Sequence, residues 1–284
     1  MMNIMPDSSS SLARLRHQLE RIEPRRETAL AGLVALGHAA ADQALDGGLA
    51  RGRLHEVFAA EDDAGSGAGF GALLGLRASV GRGPSRPFLW LRTEAAQKRG
   101  GRLHATGFAE LGFDPATLLL ALVPDETALL RAAAEATRCA GLGALLVECW
   151  GPMRGLDLTA SRRLMLAAEM SGVTVLLLRI GAEPQKHSMP SAADTRWRAA
   201  AAPSLALEAE APGAPSFEAE LLRRRAGPPA GPWRLEWDRD RMSFREPEGE
   251  ALSPAAGPPL PRPVLPVVAG RTAALDRAAL RRAG

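Results

Sequence analysis

Tyrosine is absent from the 284 residues, and lysine nearly so, Lys98 and Lys186 being the only two. Arginine therefore carries nearly all the positive charge. With the heavy use of Ala, Gly and Pro, this bias reflects GC-rich coding more than function. Only two cysteines occur, Cys139 and Cys149. They exclude a disulfide framework and a cysteine-based metal pattern, suit a reducing compartment, and adjoin apolar segments as buried free thiols do. Long hydrophobic runs are missing as well. Leu118–Val123 and Val173–Leu178 are far too short to span a bilayer. The opening MMNIMPDSSSS has neither a basic n-region nor an apolar core, so no secretory signal and a cytoplasmic location are expected. A net charge of only +3 makes no field-based case for nucleic acid. His55, His104 and His187 lack metal-ligand spacing, and Ser161 with His187 forms no recognisable triad, so neither a metal nor a hydrolase is expected.

What is present is an ordinary globular balance, 46% hydrophobic and 24% charged. The serine run 8–11 offers N-caps for a helix carrying Leu12, Leu15, Leu19 and Ile22 on one face, ended by Pro24. Residues 1–25 thus read as an amphipathic segment that docks on its own domain or on a partner. Residues 26–246 form the core. From 247 to 284 the chain is a proline-rich extended tail closed by a short basic amphipathic helix. Such a tail is either a partner-binding element or an appendage without a role.

Within the core the pattern alternates. A short helix and two glycine turns lead to a strand at Leu54–Phe58, and PFLWLR (87–92) is a second strand. After a charged, Gly-containing loop comes a third in LGFDPATLLLALV. A helix capped by Thr127 runs through Cys139, closed by Gly141, and ALLVECW (144–150) follows as a buried strand. LTASRRLMLAAEMS is a helix with Gly172 as its left-handed cap, and VTVLLLRI (173–180) is the next strand. Continuous apolar strands alternating with helices predict an α/β fold, a mostly parallel sheet covered on both faces. TRWRAAAA, SLALEAEA and EAELLRRRAG suggest further strands, and WRLEWDRDRMSFRE a hairpin, as antiparallel additions at one edge.

The stretch HEVFAAEDDAGSGAGFGALLG has the strand–loop–helix layout of a phosphate-binding loop, with Gly65, Gly67, Gly69 and Gly71 available for close backbone approach to an anion. The pattern G-x-x-x-x-G-K-[ST] nevertheless fails. No lysine precedes Lys98, Phe70 or Ala68 stands in the lysine's place, and Glu61, Asp62 and Asp63 would repel phosphate. Two carboxylates at strand ends, Glu148 and Glu94, occupy the places of a magnesium-organising and a water-activating group.

The order of these segments resembles the RecA core, in LDGGLARGRLHEVFA, FLWLRTE, LGFDPATLLLALVPD, ALLVEC and VTVLLLRI. RLHEVFAA with its lysine-free loop, FLWLR, GFDPATLLL, SAADTRWRAAAAPS and WRLEWD are together similar to the ImuA family, over about residues 30–245. That resemblance implies a RecA-like core with a degenerate nucleotide loop and no cofactor. It also implies a non-catalytic adaptor role in SOS-induced translesion DNA synthesis. The implied partners are an ImuB-like inactive Y-family polymerase homologue, a DnaE-type error-prone polymerase, and RecA or damaged DNA. RecA-like domains associate face to face, so a homo-oligomer is a further implication. Two alternatives stand beside this reading: a divergent DNA-stimulated ATPase, and a cell-division inhibitor resembling SulA. The run Arg223, Arg224 and Arg225 is a candidate DNA contact or a solvated charge run. Trp197 between Arg196 and Arg198 is a base-stacking candidate or, by alternation, a core residue.

Overall fold

The computed structural model describes residues 32–79, 86–182, 190–205, 213–225 and 227–247. The amphipathic segment 1–25, the tail beyond Pro247, His187 and most of SLALEAEA lie outside the described residues.

Two short strands, β1 (Leu33–Val34) and β2 (Leu49–Ala50), pair antiparallel around helix α1 (Ala39–Ala44). The Asp42 carboxylate accepts from the Leu36 and Gly37 amides and folds this entry segment back on itself. The strand β3 (Leu54–Ala59) then enters the middle of the main sheet, and α2 (Ala64–Ser79) follows it. Next come β4 (Phe88–Thr93), α3 (Glu94–Gly100), α4 (Ala105–Glu110), β5 (Leu118–Val123), α5 (Glu126–Thr137), β6 (Ala144–Trp150), α6 (Leu158–Ser171) and β7 (Thr174–Ile180). Four more strands complete the sheet, β8 (Thr195–Ala201), β9 (Ser216–Arg224), β10 (Ala230–Asp238) and β11 (Ser243–Arg245).

The order across the nine-stranded sheet is β5-β4-β6-β7-β3-β8-β9-β10-β11. Neighbours from β5 to β8 are parallel, and the β8–β9, β9–β10 and β10–β11 pairs are antiparallel. The expected α/β sheet with antiparallel strands at one edge is therefore present. Its central parallel strands β3, β4, β6 and β7 are mainly apolar because both faces are covered. Val57, Leu146, Leu176 and Leu178 pack with Phe70 of α2 on one face. Leu54, Leu145, Val147, Val175 and Leu177 pack with Leu129 of α5 and Leu164 of α6 on the other.

Three local expectations are corrected. The charged segment after β4 holds helices α3 and α4, with Thr93 accepting from the Ala96 amide as N-cap. Helix α5 starts one residue before Thr127, because Asp125 supplies the capping carboxylate to the Ala128 amide. It ends at Thr137, and Gly141 lies beyond its cap, Arg138. Gly172 does close α6 in the left-handed conformation, at φ 76°. Trp197 is fully buried beside Phe70, as alternation along β8 requires.

Candidate functional site

The glycine-rich stretch is where the structure departs most from the sequence pattern. Gly65, Gly67, Gly69 and Gly71 do not form a loop; all lie in α2. The turn itself is Ala60–Asp63 and contains no glycine. The glycines instead let α2 press onto the sheet: a Cβ on Gly67 would overlap that of Ala59, and one on Gly71 would come 3.3 Å from Leu146. Phe70 is likewise not at a ligand position. It is fully buried against Trp197, Phe217 and Phe244, a burial that contributes about 1.5–3 kcal/mol. The first turn of the helix reads Ala64-Gly65-Ser66-Gly67, so no cation stands where a phosphate would need one.

The turn is also held shut by its own carboxylates. Glu61 forms an ion pair with Arg99 of α3 and lies beside Gly181 at the end of β7. Asp63 accepts a 2.7 Å hydrogen bond from the Ala201 amide at the end of β8. Negative charge thus already occupies the N-terminal end of α2, where the helix dipole would otherwise favour an incoming anion.

Glu148 is present at the end of β6 but is not available to a metal. Its Oε2 accepts from Trp90 Nε1 at 2.9 Å, and its Oε1 accepts from Trp150 Nε1 at 2.7 Å and Arg92 Nη2 at 2.9 Å. Arg92 in turn donates to the Gly101 and Ala96 carbonyls. Both charges are about 97% buried or more, so this pair is a fixed strut between β4 and β6. Glu94 sits in the exposed first turn of α3. No group of three or more His, Cys, Asp or Glu residues able to hold a metal occurs among the described residues.

Beside the strut, a cleft of about 280 Å³ opens at the C-terminal ends of β4 and β6. This is the point in the sheet order where the connections from neighbouring strands diverge, a common place for binding crevices. Thr93, Arg99, Asp125, Glu126, Trp150 and Met153 are among its lining residues. The Arg99 guanidinium lies 4.7 Å from the Trp150 ring centroid. Cys149 lines the floor, and burial pushes its thiol up to about 12, so it stays protonated.

The three-arginine run divides. Arg223 donates to the Ser191 and Ala193 carbonyls, and burial, aided by neighbouring Arg196, lowers its pKa. Arg224 donates to the Ala44 carbonyl and pairs with Asp46, tying β9 to the end of α1. The Arg225 side chain is exposed. Two of these residues therefore hold the fold together.

Sequence reasoning missed a buried charge group on the central strands. Glu56 of β3 lies between Arg196 of β8, at 2.6 Å, and Arg179 of β7, at 3.6 Å. Phe58 packs beneath both guanidiniums. The available signal was a charged residue, Glu56 and Arg179, inside the mainly apolar runs β3 and β7, with Arg196 on the alternating strand β8.

The ImuA proteins of two Caulobacter vibrioides strains are each 34% identical to this chain over 212 residues, covering 67% of it and 77% of their own length. The chain belongs to the ImuA family. The solved structure of the RadB recombinase superimposes with a TM-score of 0.53 at 16% identity. It covers 76% of this chain and all of that one, and so shows that this ImuA-family chain has a RecA-like fold. No family model matches the sequence. Among the described residues no helix is long and apolar enough to cross a membrane.

Proposed function

We propose that this chain is a RecA-like accessory protein of damage-induced mutagenesis, acting as an adaptor without an ATPase reaction of its own. The observation that carries this reading is the turn after the central strand. It has no lysine, it holds three carboxylates, and two of these are committed to Arg99 and Ala201. Phosphoryl transfer relies on cationic stabilisation of the phosphate oxygens, and this corner of the sheet offers the opposite charge. A RecA-like core that has lost that chemistry still presents its outer surfaces, and adaptor work needs only these. On this reading the partners are an ImuB-like inactive polymerase homologue and a DnaE-type error-prone polymerase, brought to RecA or damaged DNA in the cytoplasm.

Two measurements test it. Deleting the gene should abolish damage-induced mutagenesis, and the purified protein should co-purify with the ImuB-like protein. ATP turnover stimulated by single-stranded DNA and lost in Glu94→Gln would overturn the non-enzymatic part. Unchanged induced mutagenesis in the deletion strain would overturn the role itself.

A further inference from the structure

A second crevice, of about 350 Å³, opens at the antiparallel end of the sheet. Its walls come from the start of α1, the first part of β10 and the residues after β11: His38, Pro232, Trp233, Arg234, Glu246 and Pro247. The Trp233 indole is the aromatic wall. That ring is half-buried and rests against the fully buried Trp197, with ring centroids 6.1 Å apart. The aromatic surface is therefore fixed in place before any ligand arrives.

The polar atoms here are mismatched in one direction. His38 is only 5% exposed, and its Nδ1 accepts from the Ala41 amide as the N-cap of α1. An accepting Nδ1 puts the ring hydrogen on Nε2, and among the described residues that N–H meets no acceptor. Trp233 Nε1 likewise makes no hydrogen bond among them. Arg234 gives Nη2 to the Pro203 carbonyl while its Nε stays buried without a partner. Unpaired N–H groups at a half-buried site call for an acceptor from outside. The one carboxylate on the wall, Glu246, is exposed and makes no ion pair among the described residues.

An ordinary peptide brings N–H donors and carbonyl acceptors in equal number. A proline run brings carbonyls alone. It is also already set in an extended helix of about three residues per turn, so little ordering entropy is lost when it docks on an aromatic surface. We propose that this crevice docks a proline-rich segment of a partner protein, with arginine or lysine beside the prolines. The proline rings pack on Trp233 between Pro232 and Pro247, and backbone carbonyls accept from His38 Nε2 and Trp233 Nε1. The basic residue faces Glu246, which selects the segment by charge. This deepens the adaptor reading and rests on it for its biological meaning.

The test uses the full-length purified chain and short labelled peptides built on Pro-Pro-Val-Pro-Pro, one followed by Arg and one by Glu. The Arg-ended peptide should bind, measured by fluorescence anisotropy, and the same peptide with Ala in place of Pro should not. The Glu-ended peptide should bind about two- to fivefold more weakly, as a rim charge pair allows. Glu246→Arg, a surface change, should reverse that preference. His38→Ser keeps an N-cap oxygen but withdraws the ring N–H, and should weaken the Arg-ended peptide by about three- to tenfold. Absence of binding, equal binding of the Ala-for-Pro control, or a charge preference untouched by Glu246→Arg overturns the proposal. The chain's own PPLPRP at 258–263 has the same chemistry. Pro258→Ala/Pro259→Ala/Pro261→Ala in the full-length chain should therefore leave peptide affinity unchanged. A gain of about tenfold would assign the crevice to the chain itself and overturn the partner. These measurements involve the chain alone, so their failure removes the docking crevice and leaves the accessory role to the deletion strain.

Discussion

Glu61 and Arg99 form an ion pair that joins the turn after the central strand to helix α3, and the same guanidinium packs on the Trp150 ring. The pair is exposed on both sides, so its worth in stability is small. Its consequence is positional. It keeps a carboxylate at the mouth of the corner where a RecA-like domain would receive phosphates, and Asp63 is fixed there by the Ala201 amide.

The first prediction concerns nucleotide. ATP with magnesium should show no binding by calorimetry at concentrations up to about 1 mM, the weak end of specific affinities. Gly65→Lys places a cation in the first turn of α2, where a Cβ meets nothing within 4 Å. This variant should still show no hydrolysis, because the acidic turn and the committed Glu148 remain. ATP turnover by Gly65→Lys would show that the missing lysine was the whole defect.

The second prediction concerns the strut. Glu148→Ala leaves Arg92 buried without its carboxylate, and such a loss costs about 3–5 kcal/mol. A urea titration should show it as a lower midpoint with an unchanged slope. Loss of less than about 1 kcal/mol would mean that the pair is solvated in solution.

The helix glycines give a third prediction, with opposite signs at neighbouring positions. Gly67→Ala drives a methyl into Ala59 and should destabilise by about 1–3 kcal/mol. Gly65→Ala meets open space and should gain about 0.5 kcal/mol from reduced chain entropy. Equal effects at both sites would contradict close helix–sheet packing at Gly67.

The fourth prediction is a pH dependence carried by His55. Its Nε2 lies 2.8 Å from the Ala50 carbonyl and its Nδ1 2.8 Å from the Thr195 hydroxyl, which also accepts from Trp197 Nε1. The ring is fully buried, and burial lowers its pKa, with the Ala50 bond partly opposing. The neutral ring therefore donates from Nε2 and accepts at Nδ1. Below about pH 6.5 the unfolded imidazole takes up a proton that the folded one refuses. Stability should fall as pH drops from about 6.5 toward the depressed folded value, by at most about 1.4 kcal/mol per pH unit. Comparing urea midpoints of the native chain and His55→Gln between about pH 7.5 and 5.5 isolates this slope, and identical slopes would refute it.

Much of the core was legible because its signals are local or periodic. Strands β3, β4, β6 and β7 are short apolar runs, α6 carries a glycine cap, and the β10–β11 hairpin has alternating Trp233, Leu235 and Trp237. The lysine-free loop was legible as a failed motif. The position of its glycines was not, because local preference favours a turn while the fit of α2 against Ala59 and Leu146 favours a helix there. Phe70 was misassigned for the same reason: counted along the chain it stood near a lost lysine, whereas in space it joins Trp197, Phe217 and Phe244.

The sequence by itself determined the strand-and-helix alternation, the family resemblance and the absence of a cation in the first turn of α2. Each of these depends on residue identity or on periods of two and about 3.6, which neighbours along the chain express. Only the tertiary structure decided what the charged residues do. Glu148 meets Arg92 across a separation of 56 residues and Arg196 meets Glu56 across 140. Arg224 reaches back to the turn after α1, and β5 is left at the edge while β3 is enclosed. Those outcomes follow from strand order, which brings distant residues into low-dielectric contact and places β5 at one end of the sheet among the described residues.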